Sequence, residues 1–240
     1  METIEAYTET LGQMVTGDLR KAEVFKKHGI DFCCGGKQTL EQVCAAKGLD
    51  LTTIENELEA AAASPGNNAL QYNEWPIDFL ASYIENTHHA YVKKWLPEIM
   101  AYASKVANVH GDQHPELHTI RGLVEEINME LLAHMKKEEL VLFPFIKKQV
   151  FAHANSTTLP TPSFVNVQNP VSVMEAEHEL VGRRLETIRV LSNNYRLPED
   201  ACGSYRLLYK MLEEFEADLH MHVHLENNIL FPKSIALQEK

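Results

Sequence analysis

HMKKEELVLFP at residues 134–144 and HVHLENNILFP at residues 222–232 are two copies of one sequence pattern. In each copy a histidine is followed four residues later by a glutamate, and Leu-Phe-Pro closes the segment. A further histidine precedes each copy, His89 by 45 residues and His178 by 44. Because helical periodicity dominates the surrounding sequence, the repeat predicts two helical hairpins of one kind. Two such hairpins make an up-and-down four-helix bundle with pseudo-twofold symmetry.

The rest of the chain also shows helical patterns, and no convincing strand pattern lies outside a loop. The bundle is predicted from amphipathic segments at residues 76–106, 115–143, 171–193 and 199–231. Shorter helices are predicted near residues 4–14, 18–28, 39–47 and 52–63. The stretch Ser64-Pro65-Gly66-Asn67-Asn68 breaks helicity and is typical of a linker. We therefore predict an all-α protein with a small N-terminal helical domain at residues 1–65 and the bundle at residues 75–240.

Prolines and a polar segment set the expected ends of the bundle helices. Pro97 should kink or split the first long helix, and Pro144 and Pro232 are expected to end theirs. The polar, proline-containing stretch at residues 153–170 predicts an unusually long loop between the second and third helices.

Four histidines and two glutamates are candidate metal ligands: His89, His134, His178, His222, Glu138 and Glu226. Residues four apart share a helix face, so each His-x-x-x-Glu pair can project into the bundle core. Six donors are too many for one tetrahedral zinc ion. They suit two metal ions, each held by two imidazoles, with the carboxylates and an oxo or hydroxo group as bridges. Imidazole-rich coordination favours iron over magnesium or calcium and leaves manganese and zinc open.

Two glutamates near these donors are candidates for supporting roles. Glu130 lies one turn before His134, and Glu177 directly precedes His178. Either position suits a residue behind the metal ligands, a polar access path, or a partly exposed acid with no special role. His88 should point about 100° away from His89, toward solvent or a neighbouring helix.

Cys33 and Cys34 are adjacent in a glycine-rich turn, where a disulfide between them would be strained. The nearby helix start and Lys37 are expected to lower the thiol pKa. Transient iron ligation, transfer of metal or electrons, and pairing with an external thiol are the roles open to them. Burial in a tight turn is the alternative.

Composition excludes several classes of protein. A hydrophobic fraction of 45% is typical of a globular chain. The formal net charge of −12 argues against nucleic acid as a partner. No apolar run approaches the roughly 20 residues that span a bilayer, and the acidic start METIEAYTET lacks a signal-peptide core. Four cysteines, two of them adjacent, do not make a secreted disulfide framework, so we expect a cytoplasmic protein without a membrane partner.

The chain resembles a known family at three places: DFCCGG at residues 31–36, MEAEH at residues 174–178, and the two His-x-x-x-Glu repeats. The repeats resemble the hemerythrin-like domain, and DFCCGGKQTL resembles the segment that marks the RIC family (repair of iron centres, also called ScdA or YtfE). The resemblance implies two non-haem iron ions, with the four histidines as terminal ligands and the two glutamates as bridges. It also implies repair of iron–sulfur clusters damaged by oxidative or nitrosative stress, with damaged iron–sulfur proteins as partners.

Two other functions stay open for the same arrangement of residues. A di-iron centre can reduce nitric oxide, which would make the protein an enzyme, or it can sense oxygen or nitric oxide. The chain differs from oxygen-carrying hemerythrins, since Gly182 stands where they have a second histidine. One imidazole fewer weakens the oxygen-carrier interpretation and fits a centre that binds small molecules or donates iron. Whether the protein forms a homodimer is left open.

Overall fold

The computed structural model describes residues 9–63, 70–158 and 166–238, and within these residues eleven α-helices form the fold. The expected linker at residues 64–68 lies outside the described residues, so the division into two domains stays a prediction. Within the described ranges the extended pairing is one isolated bridge between Thr10 and Thr39. The all-α fold class is therefore confirmed.

Four short helices make up the N-terminal unit: α1 (Leu11–Gly17), α2 (Lys21–Lys27), α3 (Leu40–Lys47) and α4 (Leu51–Ala63). Thr39 and Gln42 form the expected capping box at the start of α3, and Thr10 with Gln13 forms a second one at α1. Gly29 follows α2 at a φ of 62°, a left-handed conformation that a glycine adopts without strain. Local sequence thus sets where these helices begin and end.

The bundle comprises seven helical segments arranged as four long helices. They are α5 (Ile77–Ile84) with α6 (Ala90–His110), α7 (Glu116–Lys137) with α8 (Phe143–Ala154), α9 (Gln168–Leu191), and α10 (Gly203–Leu225) with α11 (Phe231–Gln238). The first long helix packs against the second and the fourth, and the second packs against the third. This is the arrangement that two repeated hairpins predict.

Three π-helical turns interrupt the bundle helices, at Glu85–His89, Glu138–Leu142 and Glu226–Leu230. In the second turn the Phe143 N–H donates to the carbonyl of Glu138, five residues earlier, and the third turn repeats this bond between Phe231 and Glu226. Turns of this kind are rare and occur frequently at functional sites.

The π turns explain why two expected helix ends are wrong. Pro144 and Pro232 are each the second residue of the helix that follows a π turn, and α8 and α11 continue past them. A proline breaks a helix because it lacks an N–H and its ring clashes with the carbonyl four residues earlier. The wider turn changes the hydrogen-bonding pattern at that carbonyl, so the proline sits at the start of a new α-helical segment.

Pro97 does not split its helix either, because α6 runs through it from Ala90 to His110. The second long helix reaches Ala154, eleven residues beyond the expected end, and α9 begins at Gln168. The polar stretch at residues 153–170 is therefore partly helical at its end, and its residues 159–165 lie outside the described ranges.

Among the described residues, two hydrophobic clusters form the core, and the candidate metal donors lie between them on every long helix. One cluster joins the N-terminal unit to the bundle, with Phe25 and Phe32 in contact with the same core as Val181, Leu219 and Val223. The other cluster occupies the far end of the bundle and contains residues from the Leu-Phe-Pro repeats. Across the described ranges, no helix has the length and apolar character needed to cross a bilayer.

Candidate metal centre

The six predicted donors meet in the bundle core as two overlapping groups. One group contains His89 and His222, the other contains His134 and His178, and both groups include Glu138 and Glu226. Within each group the ligand atoms lie within 4.8 Å of one another, and all six side chains are buried. Two imidazoles per group with two shared carboxylates are the arrangement that the repeat predicted.

The repeat places these side chains by helix geometry. His134 and Glu138, like His222 and Glu226, are four residues apart and share one helix face. His134 Nε2 lies 3.2 Å from a Glu138 oxygen, and His222 Nε2 lies 3.0 Å from a Glu226 oxygen. His178 reaches the centre from the third helix, with its Nε2 3.1 Å from Glu226.

Residues outside the centre hold three of the four imidazoles through their Nδ1 atoms. His134 Nδ1 lies 2.9 Å from Glu177, His89 Nδ1 lies 2.8 Å from Glu139, and His178 Nδ1 lies 2.8 Å from the Asn227 amide oxygen. These acceptors keep the proton on Nδ1 of each neutral ring, so the Nε2 lone pair points inward as a metal ligand requires.

Two of the inward-pointing nitrogens lie close enough to share a proton or a metal ion. The Nε2 atoms of His134 and His178 are 2.9 Å apart, although each ring has its Nδ1 engaged by an outer acceptor. Two lone pairs at that distance repel each other unless a proton or a metal ion lies between them. Both oxygens of Glu138 and one of Glu226 make no well-aligned hydrogen bond with the described residues, although imidazole nitrogens lie 3.1 to 3.3 Å from two of these three oxygens. A metal pair would satisfy all three oxygens.

The electrostatics of the buried cluster also require positive charge. Burial opposes protonation of His89 and His134, but the carboxylates of Glu138 and Glu226 outweigh it and raise the pKa of each imidazole to about 10. Burial likewise opposes ionisation of both glutamates, yet the facing imidazoles lower the pKa of the two carboxyls. Without a metal, protons on His89 and His134 would supply part of the positive charge that favours two buried carboxylates.

The phenylalanines of the Leu-Phe-Pro repeats stack on donor rings. Phe143 lies on His89 with ring centroids 5.5 Å apart, and Phe231 lies on His178 at 6.2 Å. Both phenylalanines are fully buried, in agreement with the predicted core packing. Each repeat therefore supplies two candidate donors and the aromatic ring that packs on a candidate donor of the preceding long helix.

The two glutamates predicted for supporting roles differ in position. Glu177 lies against His134 and forms an ion pair with Lys137, and these contacts lower the pKa of its carboxyl to about 2. Glu130 is partly exposed, and its charged neighbour is Arg184 at 3.9 Å, outside the donor cluster. The geometry thus supports a role for Glu177 in holding the candidate ligand His134 in place. In the described part of the chain, Glu130 has no contact with the candidate ligands that would give it such a role.

Glu139 and Asn227 are contacts that the sequence interpretation missed. Each directly follows a glutamate of the repeat and holds the Nδ1 of a histidine on the preceding long helix. Their matched positions in the two repeats were the available signal. His88 is 4% exposed, so the solvent-facing alternative is wrong, and its contact with Asp218 across helices at 3.0 Å confirms the other one.

The Cys33–Cys34 turn is organised by Asp31. One carboxylate oxygen of Asp31 accepts hydrogen bonds from the backbone N–H groups of Cys33 and Cys34 at 2.9 and 3.0 Å, and from Cys33 Sγ at 3.1 Å. The hydrogen bond with Cys34, burial and the Asp31 charge raise the pKa of the Cys33 thiol well above its usual value. The expected lowering of thiol pKa is therefore wrong for Cys33. Lys37 does not assist it, because Lys37 pairs with Glu175.

The cysteine turn borders two cavities, and one of them reaches a candidate donor. One cavity of about 290 Å³ is lined by Cys33, Cys34 and the α9 residues His178 and Gly182. A second of about 280 Å³ is lined by the same cysteines and by Asn227. The thiols thus share a cavity with one donor histidine and another with the residue that holds that histidine.

Comparison with known proteins agrees with the geometry of both parts of the chain. The ScdA N-terminal model, described as a domain of unknown function (DUF542), matches residues 7–62. The hemerythrin HHE cation binding domain matches residues 81–234, which contain both donor groups. The His and Glu clusters are compatible with the metal site of such a domain.

Similar proteins share both parts of the chain. Iron-sulfur cluster repair protein YtfE of Yersinia pseudotuberculosis is 36% identical over 230 residues, which cover 95% of this chain and 96% of that protein. The protein of the same name from Pectobacterium atrosepticum is 37% identical over 227 residues, with the same coverage. The resemblance to the RIC family and the hemerythrin-like bundle are thereby confirmed. The chain belongs to the YtfE family of iron–sulfur cluster repair proteins.

Proposed function

We propose that this protein holds two iron ions in the bundle and donates iron to damaged iron–sulfur clusters. The observation that carries the proposal is the pair of buried donor groups that share Glu138 and Glu226. The donors are imidazole nitrogens and carboxylate oxygens, which suit iron. Iron is here the delivered substrate, and the relatives' printed name, iron-sulfur cluster repair protein, supports this use.

The residues divide this work between them. His89 and His222 would bind one iron, His134 and His178 the other, and the two shared glutamates would bridge the pair. Glu139, Glu177 and Asn227 hold the imidazoles in the orientation that presents Nε2. The bundle encloses every donor, so release needs an acceptor that reaches the centre from one side.

We propose that Cys33 and Cys34 accept iron as it leaves the bundle. Both thiols line a cavity with His178, and Asp31 adds a carboxylate oxygen within 4.8 Å of the two sulfur atoms. Thiolates are soft, exchangeable iron ligands, whereas a buried imidazole and carboxylate set releases metal slowly. Metal binding would also promote loss of the proton from Cys33, whose pKa is raised without metal.

The metal content is tested by iron analysis and Mössbauer spectroscopy on protein purified without oxygen. A coupled iron pair in each chain is expected. Protein that retains one isolated iron would contradict the proposed centre.

The transfer step is tested with the Cys33→Ser, Cys34→Ser double variant. It should keep the spectrum of the iron pair, because no bundle donor is changed, but deliver iron more slowly to a cluster enzyme inactivated by nitric oxide. Wild type and variant are compared at equal iron content. Equal recovery rates would show that the thiols are not the transfer device, and loss of the spectrum would make them ligands or structural supports.

Reduction of nitric oxide at the iron pair is the second candidate function. The cavity of about 290 Å³ beside His178 favours it, because a diatomic molecule fits there with space to spare. Formation of nitrous oxide by the reduced protein in the absence of a cluster enzyme would support this function over iron donation.

A further inference from the structure

Asn228 lies on the π turn that also contains the proposed bridging ligand Glu226 and the His178 partner Asn227. Three consecutive side chains of this turn therefore have separate contacts. Glu226 faces the donor cluster, Asn227 holds His178, and Asn228 leaves the bundle toward the N-terminal unit. The third of these contacts has no part in the proposed metal site.

The Asn228 side chain is enclosed by the N-terminal unit. Its amide nitrogen donates to the backbone carbonyl of Phe32, directly before the cysteines, at 3.1 Å. It also lies 3.0 Å from His224 Nδ1, one turn earlier on its own helix. A Cβ placed on Gly12 would lie 2.3 Å from the Asn228 amide oxygen, and one on Gly36 would lie 2.6 Å from the same atom. Glycines thus give this side chain the space that it occupies.

The repeat supplies an internal comparison. Leu140 stands at the matching position of the first repeat, two residues after Glu138, and it is 75% exposed. The π turn and its glutamate therefore form without an inward or hydrogen-bonded side chain at this position. The difference between the repeats coincides with the surface on which the N-terminal unit is docked.

We propose that Asn228 is a positioning residue for iron transfer, which fixes the Cys33–Cys34 turn over the cavity that reaches His178. The proposal rests on the proposed function, because it assumes that iron leaves the bundle by way of Cys33 and Cys34. The carbonyl of Phe32 is one residue from the first thiol, so a bond at that carbonyl limits where both thiols lie. Asn228 itself lines the cavity of about 280 Å³ together with both thiols, and the thiols also line the cavity that contains His178.

The test measures how often the cysteine turn opens in the full-length protein. Cys33 is 4% exposed, so an alkylating reagent reaches it when the turn leaves the bundle. Asn228→Ala should raise the alkylation rate of Cys33, followed by mass spectrometry of its peptide, about fivefold, the population shift expected for one lost hydrogen bond. Leu140→Ala is the matched control. The alkylation rate of the exposed Cys202 in the same samples shows whether the reagent is equally active in each.

Two further variants disturb the contact between Asn228 and Phe32 without truncating the side chain at position 228. Asn228→Asp keeps the shape but replaces the donor to Phe32 with an acceptor, and it serves if the alanine variant does not fold. Gly12→Ala displaces Asn228 from the N-terminal side. Adding Gly12→Ala to Asn228→Ala should raise the rate no further than either change alone, because both act on one contact. Unchanged alkylation of Cys33 in the folded variants would overturn the proposal.

Iron delivery is measured separately on the same variants at equal iron content. Slower delivery by Asn228→Ala, with the spectrum of the iron pair unchanged, is expected. Faster alkylation with delivery at the wild-type rate would overturn the transfer role of Asn228. Unchanged delivery by the Cys33→Ser, Cys34→Ser variant would instead overturn the proposed role of the thiols, and the two failures are distinguished by which variant shows them.

Discussion

At the scale of single residues, the candidate centre is defined as much by the atoms behind the imidazoles as by the donors. Glu177, Glu139 and Asn227 each hold one Nδ1, and this leaves three Nε2 lone pairs directed inward. His222 differs, since its Nδ1 is buried and has no hydrogen-bond partner among the described residues. The ring of His88 stacks on it with centroids 5.5 Å apart. His222 is therefore held by ring packing and by the contact of its Nε2 with Glu226, without a hydrogen bond at Nδ1 among the described residues.

Loss of a donor histidine should lower iron affinity. His134→Ala and His222→Ala are each expected to weaken iron binding by more than about tenfold, because removing an outer partner of a ligand alone typically costs 10–100-fold. Iron content after dialysis against a weak chelator measures this. His224→Ala is the control, since His224 is buried but contacts Phe32 and Asn228 instead of the donors. An equal loss in the control would mean that the donor assignment is wrong.

The environment of Cys202 predicts a reactive thiol. Cys202 lies at the N-terminal end of α10, and the candidate donor His222 lies near the other end of that helix. A backbone hydrogen bond from Tyr205 and the nearby His110 imidazole, whose Nε2 lies 3.2 Å from the sulfur, lower the pKa of this exposed thiol. Burial raises the pKa of Cys44. Because the thiolate is the nucleophile, alkylation of Cys202 should reach its plateau at a lower pH than alkylation of Cys44.

Peptide-resolved alkylation rates across a pH series measure this difference. His110→Ala should move the Cys202 midpoint to higher pH without bringing it to that of Cys44, because the Tyr205 contact remains. Coincident midpoints in the wild-type protein would contradict the prediction.

At the scale of secondary-structure elements, the π turns allow each long helix to continue past a proposed bridging glutamate and the proline that follows it. The turns at Glu138–Leu142 and Glu226–Leu230 begin at the two proposed bridging residues, and each is followed by a proline. A proline inside a regular helix costs about 3 kcal/mol or more, but one that begins a helical segment costs little. The Leu-Phe-Pro repeat thus identifies where the helix changes its hydrogen-bonding pattern.

This difference predicts effects of different size on stability for two proline substitutions. Pro97 lies in the interior of α6, so Pro97→Ala should raise the free energy of unfolding by about 1–3 kcal/mol as the missing N–H is restored. Pro144 follows a π turn, and Pro144→Ala should change that free energy by less than about 1 kcal/mol. Denaturant unfolding of both variants, with matched metal content, makes the comparison. A larger gain from Pro144→Ala would contradict this account of the π turn.

At the scale of the whole molecule, the N-terminal unit and the bundle share packed surface. Phe32 lies 5.7 Å from the ring of His224 and 6.3 Å from that of His220, and it belongs to the same hydrophobic cluster as bundle residues. Lys37 adds an ion pair to Glu175 on α9 at 2.8 Å. The cysteine turn is therefore held against the bundle near the donor cluster.

A protein limited to residues 70–240 should fold and bind two irons, since all six proposed donors lie in the bundle. It should also be less stable, because exposing the surface under one large aromatic side chain costs about 1–3 kcal/mol. Circular dichroism, thermal unfolding and iron analysis test both parts. A soluble and helical fragment without iron would show that the N-terminal unit is needed for the metal centre.

The repeat by itself determined the helical hairpins and four of the six candidate donors, because i,i+4 spacing fixes a shared helix face wherever a helix forms. Matching intervals to His89 and His178 extended this to the four long helices. Local spacing could not show which residues hold the donors from behind, since His134 and Glu177 come from different helices. Nor could it show the π turns, whose wider hydrogen bonds let Pro144 and Pro232 begin helical segments. The hydrogen bond with Cys34 and the charge of Asp31 raise the pKa of Cys33 within the turn itself, and burial of the thiol in the folded protein raises it further.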